Sequence, residues 1–229
     1  MIITIDGPAG TGKSSVARRV AEQLGFDFLD TGAMYRAVGL EAVRREIDLT
    51  NRNELIVAAR ACRISFDWTR HPPRLILNGN DVTDQLRTDR VTEAASHVAV
   101  VDDVRAVLVE QQKRIGTEHT NLVTEGRDQG TVVFPDAALK FFLDASLDER
   151  ARRRHAELRA KAENVDYWKV YHDMDERDRR DRSRAVAPLR PAADAIVVDT
   201  TKMSRDEVVA HIVNIARERL GPLPAGEAR

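Results

Sequence analysis

GPAGTGKSS, residues Gly7–Ser15, is the stretch that decides the fold. Gly7, four residues, Gly12, Lys13 and Ser14 stand in the spacing of a phosphate-binding loop, just behind the apolar run Met1–Ile5. Small residues let several backbone N–H groups turn inward around a phosphate, an approach that side chains would block. A helix opening at Lys13 points its positive dipole end at the same spot. Lys13 adds a mobile point charge for the outer phosphates, and the Ser14 hydroxyl is an oxygen ligand for magnesium. The stretch therefore implies a nucleoside triphosphate with Mg2+, held by Gly7, Pro8, Ala9, Gly10, Thr11, Gly12, Lys13, Ser14 and Ser15.

Outward from that loop, short apolar runs alternate with helical patterns. The runs Ile2–Ile5, Asp27–Leu29, Leu122–Thr124, Lys140–Leu143 and Ala195–Val198 each end beside Asp, Gly, Glu or Thr, as parallel strands do where ligand-facing loops begin. Apolar positions at threes and fours predict helices over 13–24, 33–46, 92–99, 104–115, 147–161, 165–181 and 205–219. The alternation predicts an α/β fold on a mostly parallel sheet. One segment breaks it: "CRISFDW" and "RLILNGNDVT" read as strands, and Asn78-Gly79 signals a tight hairpin. This antiparallel insert lies at about 62–84 in its strands, which divides the chain into core 1–61, insert 62–90, core again 91–220 and a Pro/Gly-rich loose tail 221–229. Asp102-Asp103, before "VRAVLVEQQKRI", reads as a capped, acidic first turn of a helix rather than a catalytic pair.

Composition narrows the function classes. The 36 basic and 37 acidic residues nearly cancel, to a net charge of −1, so no global field draws the chain to nucleic acid or to an anionic membrane. No apolar run approaches the roughly 18 residues of a membrane span, and the reading is of a cytoplasmic protein. The single cysteine, Cys62, reads as a small buried hydrophobe, and the six histidines show no metal-ligand spacing. A guanine-reading Asn-Lys-x-Asp segment is absent, which argues against a switch GTPase. An RNA-associated ATPase is disfavoured by an aromatic content of only 5%, too little for base stacking, and by the lack of an RNA-binding motif.

"LDTGAMYR" (Leu29–Arg36), "GRDQGTVVFPDA" (Gly126–Ala137) and "DRRDRSRAVAPLRPAADA" (Asp178–Ala195), together with "IDGPAGTGKS", resemble bacterial-type cytidylate kinases from Ile2 to about Arg219. The resemblance implies transfer of the ATP γ-phosphoryl group to CMP or dCMP. It further implies a five-stranded parallel core, a monophosphate-binding insert and a helical lid at about 150–184. Other small P-loop kinases, acting on UMP or a non-nucleotide alcohol, are the nearest alternative. The small-molecule partners are CMP, dCMP and ATP, and the enzyme is expected to be a monomer.

The residues suit that chemistry. Planar, permanently charged guanidinium forks bind phosphate oxygens in pairs, which a lysine cannot reproduce. By the resemblance, Arg36, Arg127 and Arg184 hold the CMP phosphate, Ser96, Arg105 and Asp128 read the base, Arg177 and Asp181 contact the sugar hydroxyls, and Thr31 joins the substrate contacts. An acidic acceptor for the exocyclic amine and an arginine donor for the ring carbonyl match cytosine. In "ERARRR", Arg150 and Arg154 share a helical face, and the resemblance gives them adenine stacking and closure on the transferring phosphate. The catalytic set is thus Lys13, Arg127, Arg150, Arg154 and Arg184, with Ser14 on the metal and Asp30 and Glu125 as acidic partners through water. Two positions depart from the family pattern: Glu125 where Asp is common, and Gln129 where an aliphatic residue is common.

Overall fold

The structure, a computed structural model, describes residues 1–160 and 165–221. Residues 161–164 of the expected lid and 222–229 of the expected tail lie outside the described residues. In chain order the elements are β1 (Ile2–Asp6), α1 (Lys13–Leu24), β2 (Asp27–Asp30), α2 (Thr31–Arg44), α3 (Arg52–Ala61), β3 (Ile64–Asp67), β4 (Arg74–Leu77) and β5 (Asn80–Asp81). They continue with α4 (Asp89–Val98), α5 (Asp102–Glu118), β6 (Leu122–Gly126), β7 (Leu139–Asp144), α6 (Leu147–Ala160), α7 (Tyr167–Arg182), β8 (Ile196–Asp199) and α8 (Arg205–Leu220). Five strands form a parallel sheet in the order β2-β6-β1-β7-β8, and three form a small antiparallel sheet in the order β3-β4-β5. By its internal contacts the chain divides into two compact units, Met1–Phe26 with the residues from Asn121 on, and Asp27–Thr120.

In the first unit β1 runs parallel to β6, from Ile2↔Leu122 to Asp6↔Gly126, and to β7, from Ile3↔Leu139 to Asp6↔Phe142. Ile3, Ile5, Leu122, Val123, Phe141 and Leu143 are buried, which is why these strands read as unbroken apolar runs rather than alternating ones. Helix α1 turns Val16, Ala17, Val20, Ala21 and Leu24 inward at helical spacing and packs with α8. Buried Lys140, unusual inside a parallel strand, sends its ammonium to both carboxylate oxygens of Asp194, at 2.8 and 2.9 Å. The strands β1, β6, β7 and β8 all stop at polar or glycine positions, Asp6, Gly126, Asp144 and Asp199. Their carboxyl edge is where open α/β sheets bind ligands.

The second unit departs from the expected elements at several points. Helix α2 starts at Thr31, two residues before its apolar pattern, because the Asp30 side chain caps it by accepting from the Ala33 amide at 2.8 Å. Arg52–Ala61 is a helix that periodicity alone does not announce. Its signal is the cap: Asn51 Oδ1 accepts from the Glu54 amide at 3.3 Å, and the two side chains are tied together by Asn51 Nδ2 donating to Glu54 Oε1 at 2.7 Å. The Asp102-Asp103 pair is not a side-chain cap, since Val101 holds the N-cap position with no capping bond; the two carboxylates lie inside the first turn and act on the helix dipole alone. The hairpin is as expected. Leu77 pairs with Asn80 across Asn78 and Gly79, which take φ of 51° and 84°, the left-handed pair of a two-residue turn. Cys62 is 3% exposed, and burial pushes its thiol up to about 12.

Candidate active site

The loop after β1 is built to leave donors free. A Cβ on Gly7 would run into the carbonyl oxygen of Leu143 on β7, so the chain can leave the sheet there only as glycine. Gly12 occupies the N-cap of α1 and has no side chain to cap it, so the first amides of the helix are left for a partner other than the cap residue. Carbonyls are tied away from it. Thr11 Oγ1 donates to Pro8 O at 3.1 Å, Lys13 Nζ to Pro8 O at 2.7 Å and Arg150 to Ala9 O at 3.0 Å. Burial and then the Arg127 guanidinium push the Lys13 ammonium down to about 7, while Glu125 pulls it the other way. The next side chain, Ser14, donates to Glu125 Oε1 at 2.6 Å. Two adjacent oxygens of this kind, a hydroxyl and a carboxylate, suit a hard divalent cation.

In the same unit β6 ends at Gly126 and is followed by Arg127, Asp128 and a π turn, Gln129–Val133. Arg127 Nε donates to Asp181 Oδ2 at 2.9 Å, and Arg184 pairs with Asp181 Oδ1. One carboxylate on α7 therefore holds two guanidinium groups that the sequence places 57 positions apart, 127 to 184. Burial opposes the charge on Asp181, yet Arg127, Arg184 and Arg177 hold it below the usual carboxylate range. Burial likewise opposes the charge on Arg127, and Asp181 and Glu125 more than restore it. Asp128 is buried, and Arg177 lies close enough to act on both Lys13 and Asp181.

Arg150 is 3% exposed. Its guanidinium donates to Ala145 O at 2.9 Å and Ala9 O at 3.0 Å and pairs with Asp178 Oδ2 at 2.7 Å, so it ties α6 and α7 to the phosphate loop. Arg154 lies on the surface against Glu157. In the other unit Arg36 is held by Asp30, whose Oδ2 accepts from its guanidinium at 2.9 Å, so Asp30 is engaged as a cap and an ion-pair partner. Arg105 is buried, donates to Ala99 O at 3.3 Å and lies 5.6 Å over the Tyr35 ring. Thr31 is buried at the start of α2, and Ser96 is half-buried on α4.

In the unit that carries the phosphate loop, two of the described buried carboxylates, Asp178 and Asp6, escape the sequence reading. Asp178 continues the buried face Val170, Met174, Asp178, Asp181 of α7, a spacing of fours and threes that could have found it. Asp6 has no local signal. Its oxygens accept from the Gln129 and Gly130 amides at 2.9 and 2.8 Å, and burial pushes its carboxyl up to about 7 against the pull of those two donors.

A family model described as cytidylate kinase matches residues 3–218. A cytidylate kinase of Pasteurella multocida is 42% identical over 220 residues, covering 96% of either chain. One of Pseudomonas aeruginosa is 47% identical over 214 residues, 93% of either chain, and one of Klebsiella pneumoniae 43% over 219, 96% of either. Among solved structures, a shikimate kinase from Bacteroides thetaiotaomicron shares the fold at a TM-score of 0.51 and 12% identity, over 97% of this chain and 99% of that one. Among the described residues no helix is long and apolar enough to cross a membrane. With nearly half of all positions shared along almost the full length with these enzymes, the chain belongs to the cytidylate kinase family.

Proposed function

We propose that the protein transfers the γ-phosphoryl group of ATP to CMP and dCMP, giving ADP with CDP or dCDP. The carrying observation is the Asp181 carboxylate clasping Arg127 and Arg184 within electrostatic reach of the phosphate-loop lysine. Two polyanions meet only where positive charge is concentrated and pre-positioned, and this cluster holds its guanidinium groups ready without a substrate. An acceptor phosphate takes over the outer N–H groups of Arg127 and Arg184, and the motif position of Arg36 makes it a further phosphate contact. Asp181 gives one oxygen to each arginine, and the same carboxylate, with Arg177 acting on it, contacts the sugar hydroxyls. Asp128, Arg105 and Ser96 read the cytosine, and Thr31 lines the same substrate.

No general base is needed. The attacking atom is a phosphate oxygen whose second pKa is about 6, so it is ionised at neutral pH. Lys13 and the loop amides neutralise the β and γ phosphates as the P–O bond to ADP breaks. Ser14 would hold magnesium, with Glu125 acting through water; that ion supplies charge neutralisation on the donor phosphates when bound. The 62–90 segment serves as the monophosphate-binding insert and the 150–184 helices as a lid that excludes water during transfer. The working unit is a cytoplasmic monomer, which sizing by gel filtration checks.

Initial rates with CMP, dCMP, UMP and AMP, at saturating ATP and magnesium, test this. CMP and dCMP should exceed UMP in kcat/KM by at least about tenfold, the discrimination that base-edge hydrogen bonds provide. A preference for UMP, or ATP hydrolysis that is indifferent to CMP, would overturn it.

A further inference from the structure

Asp6 is a buried carboxylate outside the reaction described above, and its surroundings show what it does. The π turn Gln129–Val133 is closed by bonds that span five residues, Val133 N to Asp128 O at 3.2 Å and Phe134 N to Gln129 O at 2.7 Å, with Val132 N also donating to Asp128 O at 2.9 Å. The first amides of such a turn have no partner within it. Those of Gln129 and Gly130 donate instead to Asp6 Oδ1 and Oδ2, across 123 and 124 residues of sequence. There is little slack in the turn. A Cβ on Gly130 would stand 2.9 Å from Thr4 Oγ1 on β1 and 3.2 Å from Lys140 Cδ on β7.

The same residue fixes the other end of this segment. In the β1–β6 ladder the partner of Asp6 is Gly126. Arg127 and Asp128 therefore lie between two anchors that both belong to Asp6, its backbone at Gly126 and its carboxylate at Gln129. The residue after Asp6 is Gly7, where the phosphate loop begins. We propose that Asp6 is a positioning residue for acceptor recognition, holding Arg127 and Asp128 in fixed register with the phosphate loop through the amides of Gln129 and Gly130. The inference rests on the reading that Arg127 and Asp128 contact CMP.

A buried charge is costly, and a neutral residue of the same shape would be cheaper to bury. A carboxyl group, unlike a carboxamide, has an oxygen to offer each of the two amides. In Asp6→Asn the carboxamide keeps one acceptor and turns an N–H toward the second amide, so the turn loses one anchor while the side-chain volume is kept. A displacement of about 1 Å at a positioned group costs up to about a hundredfold in rate. Steady-state kinetics of Asp6→Asn should show kcat/KM for CMP falling about tenfold or more, with KM for ATP moving less than about threefold. Gly130→Ala, which keeps the carboxylate but pushes the turn off Thr4 and Lys140, should give the same CMP-selective loss, and it stands in if Asp6→Asn does not fold. The proposal is overturned if either folded variant leaves kcat/KM for CMP within about threefold of the parent, or if KM for ATP and CMP rise together. Failure of the parent protein itself to phosphorylate CMP would instead strike the functional reading, and this inference with it.

Discussion

Lys13 shows how a single side chain is set for its ligand before the ligand arrives. Its ammonium donates to Pro8 O at 2.7 Å and is pushed down to about 7 by burial and by Arg127. A bound triphosphate brings negative charge to that site and restores the usual preference for the protonated form. The sign follows directly: between about pH 7 and 10 the free protein has shed a proton that the ATP complex holds, so binding takes one up. Calorimetry of ATP binding at pH 8, repeated in buffers of different ionisation enthalpy, should show uptake approaching one proton, vanishing in Lys13→Met. An uptake independent of Lys13 would place the titrating group elsewhere. Lys13 and Ser14 were legible from spacing alone, because the loop's chemistry is local in sequence. Asp6 was not, because its partners are amides more than a hundred positions away and no window contains both.

Among elements, the core strands are readable as short unbroken apolar runs, most helices because each buries an apolar face of fixed period, and the hairpin because Asn78-Gly79 can adopt its turn. The π turn is unreadable, since its bonds are decided by where β1 and β7 lie. Arg150 is the sharper case. Spacing puts Arg150 and Arg154 on one helical face, but packing separates them: one is 3% exposed with Asp178 as its partner, the other is at the surface beside Glu157. On the same two helices Ala151, Leu158, Val170 and Met174 form a small buried apolar cluster with Ala9 against it. Removing one member of a buried pair leaves an uncompensated charge, so Arg150→Ala should cost about 3–5 kcal/mol in urea unfolding. Arg154→Ala should cost less than about 1 kcal/mol, the range of exposed pairs. The double variant Arg150→Met with Asp178→Leu should recover much of the loss. Equal effects of the two arginine truncations would mean that the Arg150 pair contributes no more than a surface pair does.

For the whole molecule, the division into Asp27–Thr120 and the remainder comes from pairings that join distant stretches, which local periodicity does not contain. The close crossing of α2 and α4 inside Asp27–Thr120 is such a pairing. It happens at Gly39, where a Cβ would stand 2.8 Å from the Ala95 amide nitrogen and 3.1 Å from Val91 O, both backbone atoms that cannot turn aside. Gly39→Ala must therefore push the helices apart, at a cost of about 1–3 kcal/mol. Local stability is distributed by cooperative units, so hydrogen exchange should quicken across 27–120 and much less across 1–26 and 121–221. The proposed assignments give this a functional signature. Arg36, Ser96 and Arg105 belong to the loosened unit, whereas the phosphate loop does not, so CMP affinity should fall while ATP affinity holds. Protection lost evenly along the chain, with both affinities falling together, would show that the two units respond as one cooperative body and that acceptor recognition cannot be perturbed apart from the donor site.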